Sequence, residues 1–212
     1  VVSEAERHRL QIIYTQIDRD ERGIPEFRTY GFRLDQNEYF YPASTVKLPA
    51  ALAALEKLEA LAVPGLDSST AMLTGAGSPA QTAVSADPTA PGGLPSIAHY
   101  VRKILLVSDN DAYNRLYEFT GHDQLNEGLR QKGYRGTRII HRLEVGLDEA
   151  QNRETNPVSF VIGDRTIYQQ AAASGTQNFR APLPVLLGEG EIVSGDLRPG
   201  PKDFAGKNAF PL

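Results

Sequence analysis

The stretch Tyr41-Pro42-Ala43-Ser44-Thr45-Val46-Lys47-Leu48 decides how the chain is read, because it opens a long apolar helix with a serine one turn before a lysine. Residues three apart on a helix share a face, with about 5–6 Å between Cβ atoms, so Lys47 can hold its amine near the Ser44 oxygen. A serine hydroxyl needs a base to take its proton, and a lysine serves only where burial or neighbours lower its pKa. The flanks suggest burial. From Val46 to Leu61 the run is apolar on most of its circumference until Glu56, Lys57 and Glu59, and such a helix belongs inside a domain. The spacing alone is weak evidence. Average residue usage supplies an S-x-x-K match roughly once in a chain this long, and Ser44 could equally cap the helix while Lys47 snorkels to solvent.

On the N-terminal side, residues 10–17 (LQIIYTQI) and 26–34 (EFRTYGFRL) are rich in β-branched and aromatic residues. The charged, Gly- and Pro-bearing segment 18–25 between them predicts an antiparallel hairpin. Two strands alone are marginal, so the hairpin needs something to pack against. On the C-terminal side, 64–95 reads as a long loop with one short element at Ala71-Met72-Leu73. Ser96 then caps a helix over IAHYVRKILLV. Two more helices, 112–119 and 123–132, end at Gly121 and Gly133, where left-handed caps are expected. From Gly163 onward RTIYQQ and PVLLGEGEIV read as short strands or extended loops, and 198–212 as irregular.

Composition narrows the function. A 212-residue chain with 41% apolar and 23% charged residues has length enough for a sizeable core. Its net charge of −4 and the absence of a basic stripe argue against nucleic-acid binding. No apolar run approaches the ~20 residues that span a bilayer. With no cysteine there is no disulfide, zinc-thiolate site or cysteine nucleophile. His8, His99, His122 and His141 lack metal-ligand spacing, so no metal or other cofactor is expected.

The tripeptide Ser108-Asp109-Asn110 raises the standing of Ser44 and Lys47. A given three-residue word occurs by chance only about 0.03 times in such a chain at average usage. It interrupts two helices and exposes a hydroxyl and an amide, groups that can relay a proton and hold a substrate amide. Asp109 also suits an N-cap. With Ser44-Thr45-Val46-Lys47 and Ser108-Asp109-Asn110 in this order, the chain resembles the penicillin-recognising serine hydrolases, most closely the class A β-lactamases. The stretch His141-Arg142-Leu143-Glu144-Val145-Gly146-Leu147-Asp148-Glu149-Ala150 resembles the loop that carries the deacylation glutamate in that family, and Thr155-Asn156-Pro157 resembles its end.

The resemblance implies an α+β fold of the β-lactamase/transpeptidase type. Residues 1–43 would belong to the sheet domain, 44–157 would form a helical domain carrying the motifs, and 158–212 would be an insertion and irregular region. It also implies roles. Ser44 would be the acylated nucleophile, Lys47 its activating partner and Ser108 the proton relay to the leaving nitrogen. Asn110 would bind the substrate amide, and Glu144 would position the hydrolytic water. Substrates would be β-lactams or related amides, met by an exported, periplasmic or secreted monomer of the kind tied to antibiotic resistance.

The pattern has departures. Asp148 stands where an asparagine usually shares the water, and as a second carboxylate it would raise the Glu144 pKa if close. No Lys-Thr-Gly equivalent follows Asn110, and Ser174-Gly175-Thr176 has no preceding basic residue. The chain is therefore expected to be a fragment lacking C-terminal strands, with poor activity of its own. A cell-wall peptidase or esterase on the same scaffold, and a non-catalytic binding module, remain open.

Overall fold

The helical body forms around α1 (Lys47–Leu61), whose buried side carries Ala50, Ala51, Ala54 and Leu58. Small side chains on this face allow close approach, and α1 packs chiefly on α3 (Asn110–Thr120), with further contact to α2 (Ile97–Val107) and α4 (His122–Gln131). In this computed structural model, residues 2–187, 191–193, 196–198 and 200–211 are described. The helix is not covered all round, as its composition suggested. Leu48 and Leu52, one turn apart, are each about half exposed, because the alanine face takes the core contacts.

Local chemistry sets the helix limits. The Ser96 Oγ accepts the His99 amide at 3.2 Å and starts α2, while the Asp109 carboxylate accepts the Ala112 amide at 2.8 Å and starts α3. These bonds satisfy amides that a helix start leaves unpaired. Gly121 and Gly133 lie at φ of 93° and 95°, just past α3 and α4, a region closed to most side chains. Every residue of α3 from Ala112 to Thr120 is buried, including Asn114, Arg115 and Glu118.

A three-stranded antiparallel sheet closes this body. Its order is β3 (Ala71–Thr74), β5 (Val158–Ile162), β6 (Arg165–Gln170), with Met72 opposite Phe160 and Phe160 opposite Tyr168. Met72, Val158 and Phe160 are essentially inaccessible, and the Phe160 ring meets Phe119 of α3 edge-on at 5.3 Å. Each such side chain contributes about 1.5–3 kcal/mol through burial. Short pairings follow: β4 (Glu154–Thr155) with β7 (Ala173–Ser174), β8 (Leu186–Leu187) with β11 (Lys202–Asp203), and β9 (Glu191–Val193) with β10 (Asp196–Arg198). Of the PVLLGEGEIV segment, residues 188–190 lie outside the described residues.

The chain divides into two compact units, Val1–Phe40 with Phe210–Leu212, and Tyr41–Ala209. Within the second unit, β5 is the central strand of its three-stranded sheet and β4, preceding it, pairs with β7. The first unit is the hairpin of β1 (Ile12–Arg19) and β2 (Pro25–Phe32), registered from Ile12 opposite Phe32 to Arg19 opposite Pro25. Tyr14 stacks on Tyr30 at 6.1 Å, and the Thr15 and Thr29 hydroxyls meet at 3.1 Å. The Asp20 carboxylate shapes the turn by accepting the amides of Arg22 and Ile24.

Candidate active site

Ser44 does not cap α1. It lies in a 3₁₀ turn, Ala43–Val46, and Lys47 is the first residue of the α-helix. The tighter turn keeps the serine exposed and sets the lysine inside, with only 2% of its surface accessible. The Lys47 Nζ lies 3.2 Å from Ser44 Oγ and 2.9 Å from Ser108 Oγ, and it also donates to the Ser108 carbonyl. Two serines 64 positions apart in sequence are thus joined by one amine. Burial pushes the Lys47 pKa below its ordinary value, opposed by the charges of Asp109 and Glu144.

Ser108 reaches Lys47 with both oxygens because it ends α2 in the left-handed conformation, φ 56° and ψ 39°. That conformation costs a non-glycine residue about 1–2 kcal/mol. Ala43, beside Ser44, and Glu144 share it, at φ of 46° and 55°. Backbone strain of this kind persists only where the surroundings over-determine it. Under Ser108, Asp109 caps α3 and pairs with Lys103 at 3.2 Å, and Lys103 pairs in turn with Asp87 at 3.1 Å. Burial works against the Asp109 carboxylate, yet the Ala112 amide and Lys103 hold its pKa below the usual value. Asn110, half-buried, is the first residue of α3.

Glu144 is exposed, and it forms no hydrogen bond with a described residue. Its backbone, however, is gripped from α3. Asn114 donates from its amide nitrogen to the Leu143 carbonyl at 3.0 Å and accepts the Leu143 amide at 2.9 Å. Arg142 is buried, with its Nε 2.8 Å from Glu118 Oε1 and its remaining nitrogens donating to the carbonyls of Gln151 and Glu154. Arg115 approaches the second Glu118 oxygen at 3.0 Å. Burial pushes the Glu118 pKa up, against the pull of both arginines. Asn126, Asn208 and Asn152 bind the backbone at Ile139, at Ile140 and His141, and at Arg142 in the same manner.

Asp148 has a different occupation from the one its position suggested. Its carboxylate accepts the Gln151 amide at 2.8 Å, while the Gln151 side chain accepts the Asp148 amide at 2.9 Å, a capping box for α5 (Glu149–Arg153). The Ser174-Gly175-Thr176 triplet is likewise engaged away from Ser44: Thr176 donates its amide and hydroxyl to Asp123. His99 lies against Asp87 and His122 against Asp123, and no cluster of metal-ligating side chains occurs among the described residues. No helix among the described residues is long and apolar enough to cross a membrane.

Sequence reasoning missed Asn114, Glu118, Arg142 and Asn152, the groups that hold the loop. A signal existed for two of them, since Asn114 and Glu118 are polar residues four apart on a helix whose other positions include Tyr113, Leu116, Tyr117 and Phe119.

An α+β chain in which a buried lysine bridges two serine hydroxyls has the architecture of the penicillin-recognising serine hydrolases. More narrowly, the model of the Beta-lactamase enzyme family matches residues 2–180, and the chain belongs to that family. The match includes Ser44, Lys47, Ser108, Asn110 and Glu144, and it runs past residue 158 to the end of β7 and beyond. Among curated proteins no match was found.

Proposed function

We propose that the protein is a serine hydrolase that opens β-lactams or related amides through an acyl-enzyme on Ser44. The observation that carries this is the position of Lys47 Nζ, within hydrogen-bond reach of the Ser44 and Ser108 hydroxyls in a buried setting that lowers its pKa. As a neutral amine, Lys47 keeps two N–H groups for the Ser108 carbonyl and hydroxyl, which leaves its lone pair for the Ser44 proton. Ser44 Oγ attacks the amide carbon, the C–N bond breaks, and Ser108 passes a proton to the leaving nitrogen. Asn110 holds the substrate amide. Glu144 takes a proton from the water that then cleaves the ester and frees Ser44.

The test is labelling with a fluorescent penicillin. One equivalent of label on Ser44, lost in Ser44→Ala, is expected; label retained by Ser44→Ala removes Ser44 from the mechanism. Glu144→Ala should still acylate but accumulate acyl-enzyme. Unchanged steady-state hydrolysis in that variant rules out its role.

A second reading, a peptidase or esterase on the same scaffold, is favoured by Asp148. With that carboxylate committed to capping α5, Glu144 has no side-chain partner among the described residues to share its water. Slow deacylation would follow, and turnover of a penicillin against a peptide or ester substrate separates the two. A binding module would give no label at all.

A further inference from the structure

The Lys47 amine faces the Ser44 hydroxyl on its own turn, Ser108 at the end of α2, and two negative charges, Asp109 at the start of α3 and Glu144 on the loop. Burial lowers its pKa, while both charges oppose that and favour the ammonium, which is the wrong form for a base. Glu144 is exposed and screened by water. Asp109 is less so, because its side chain is only 24% exposed, and it follows Ser108, which meets Lys47 with both oxygens. Capping α3 at Ala112 takes an oxygen but no charge, and an asparagine caps as well. The Asp109 charge therefore works against Lys47 unless something offsets it.

Lys103 is placed to do so. Its backbone carbonyl accepts the Asp109 amide at 3.4 Å and its Nζ lies 3.2 Å from Asp109 Oδ2, so residue 109 is tied to residue 103 through backbone and side chain together. The lysine is fixed from its other side by Asp87, whose Oδ2 lies 3.1 Å from Lys103 Nζ and 2.9 Å from His99 Nε2. His99 and Lys103 are four apart on α2, so one face of the helix brings both to that oxygen. The other oxygen of Asp87 accepts the Thr89 amide at 2.9 Å and its hydroxyl at 2.6 Å. The Thr89 hydroxyl leads the contacts that hold the Asp87 carboxyl well below the usual range, against the effect of burial. Burial works against the Lys103 charge too, yet Asp87 and Asp109 hold its pKa above the ordinary lysine value. Lys103 thus stays a cation at every pH where Lys47 titrates.

We propose that Lys103 is a positioning residue of the Ser44 centre: held in place by Asp87, it offsets the Asp109 charge and so lets Lys47 act as a neutral amine. It touches neither Ser44 nor a substrate and acts through Asp109 alone. The inference rests on the reading of Lys47 as the base for Ser44, and it gives the Asp87–Lys103–Asp109 chain a task beyond joining α2 to the segment before it.

The test reads the Lys47 titration directly, by proton–carbon NMR of the 212-residue protein carrying carbon-13 at lysine Cε, with the Lys47 signal identified by its loss in Lys47→Met. Lys103→Gln, which keeps a donor for the carboxylates and removes the charge, should move the Lys47 midpoint up by about 0.5–1 pH unit. Lys103→Arg should leave it close to that of the parent. Asp109→Asn, which keeps an oxygen for the Ala112 amide, should lower it, and in that background the rise caused by Lys103→Gln should shrink to less than half. Labelling of Ser44 by a fluorescent penicillin should follow: in Lys103→Gln the rate falls about 3–10-fold at pH 7 and reaches the parent plateau at high pH, whereas a merely structural loss lowers the plateau. A Lys47 midpoint unmoved by Lys103→Gln, one that does not fall in Asp109→Asn, or an equal rise in the Asp109→Asn background each overturns the proposal. Absence of label on Ser44 in the parent protein overturns the reading of Ser44 instead, and the NMR midpoints still decide whether Lys103 governs the Lys47 proton.

Discussion

At the scale of single residues, the buried Lys47 and the half-buried Lys57 serve opposite ends. Lys47 sits beside hydroxyls, and its lowered pKa makes the neutral amine accessible below the ordinary lysine range. The rate of Ser44 acylation should therefore rise with pH and level off below pH 10.5, while Lys47→Met should slow it by about 10²–10⁴-fold, the usual weight of a positioned base. Stopped-flow labelling across pH reads both, and a pH-independent rate contradicts the role. Lys57 instead donates to the carbonyls of Phe119 and Thr120 at the end of α3 and to Gln170 of β6, and burial pushes its pKa down to about 8. In the unfolded chain a lysine titrates at about 10.4. Between about pH 8 and 10 the unfolded state thus holds more protons, so this group makes stability rise with pH across that window. Lys57→Met should cost about 1–3 kcal/mol at pH 7 by stranding carbonyls. Because the variant lacks the rise, urea melts at about pH 7 and 9.5 should show a larger penalty at the higher pH. The contact of Lys47 with Ser44 was legible in the sequence because it is local. The role of Lys57 was not, since its partners lie 62 to 113 positions away and only folding brings them close.

At the scale of elements, the segment from Ile139 to Arg153 is nearly without backbone ladder, and side chains replace one. Asparagines at 114, 126, 152 and 208 each accept one or more of its amides, and Tyr113 and Tyr117 donate to the carbonyls of His141 and Asn152. The Arg142–Glu118 pair, 2% and 3% exposed at the side chains, anchors the segment to α3 two residues before Glu144. Removing one partner of such a pair costs about 3–5 kcal/mol, because the other charge stays buried. The milder Glu118→Gln keeps the shape and an acceptor for Arg142. It should leave the labelling rate of Ser44 near that of the parent and lengthen the life of the acyl-enzyme, since Glu144 loses its footing while Lys47 and Ser108 do not. Equal slowing of both steps would instead mark Glu118 as a purely structural residue. Helices and hairpin were legible from periodicity and caps, which are local signals. The loop was legible only as a string of residues around Glu144, because an asparagine that grips backbone looks in sequence like any loop or surface asparagine.

At the scale of the whole molecule, apolar burial is distributed unevenly between the two units. The body from Tyr41 to Ala209 holds a core that includes Met72, Tyr113, Leu116, Phe119 and Phe160, all at 0% exposure, whereas every residue of β2 is exposed. On β1 and β2, Tyr14 and Tyr30 on one face and Ile17 and Phe27 on the other are each more than half exposed. A two-stranded ribbon without a covered face is marginal, and the apolar residues on both of its faces offer no single side for a core to claim. That β5 pairs with β3, some 87 positions earlier, is not legible in the sequence, because no local signal links strands so far apart. Cooperative opening follows buried contacts, so stability is not uniform along such a chain. Native-state hydrogen exchange in rising urea should release the amides of Tyr14, Thr15 and Tyr30 first, with an opening free energy well below that of Leu116, Phe119 and Phe160, whose exchange should report global unfolding. Substituting Phe160→Ala should lower the opening free energy of the second group by about 3–5 kcal/mol while leaving that of the hairpin amides unchanged. If both groups shift together, the units unfold as one, and the hairpin draws its stability from the same core.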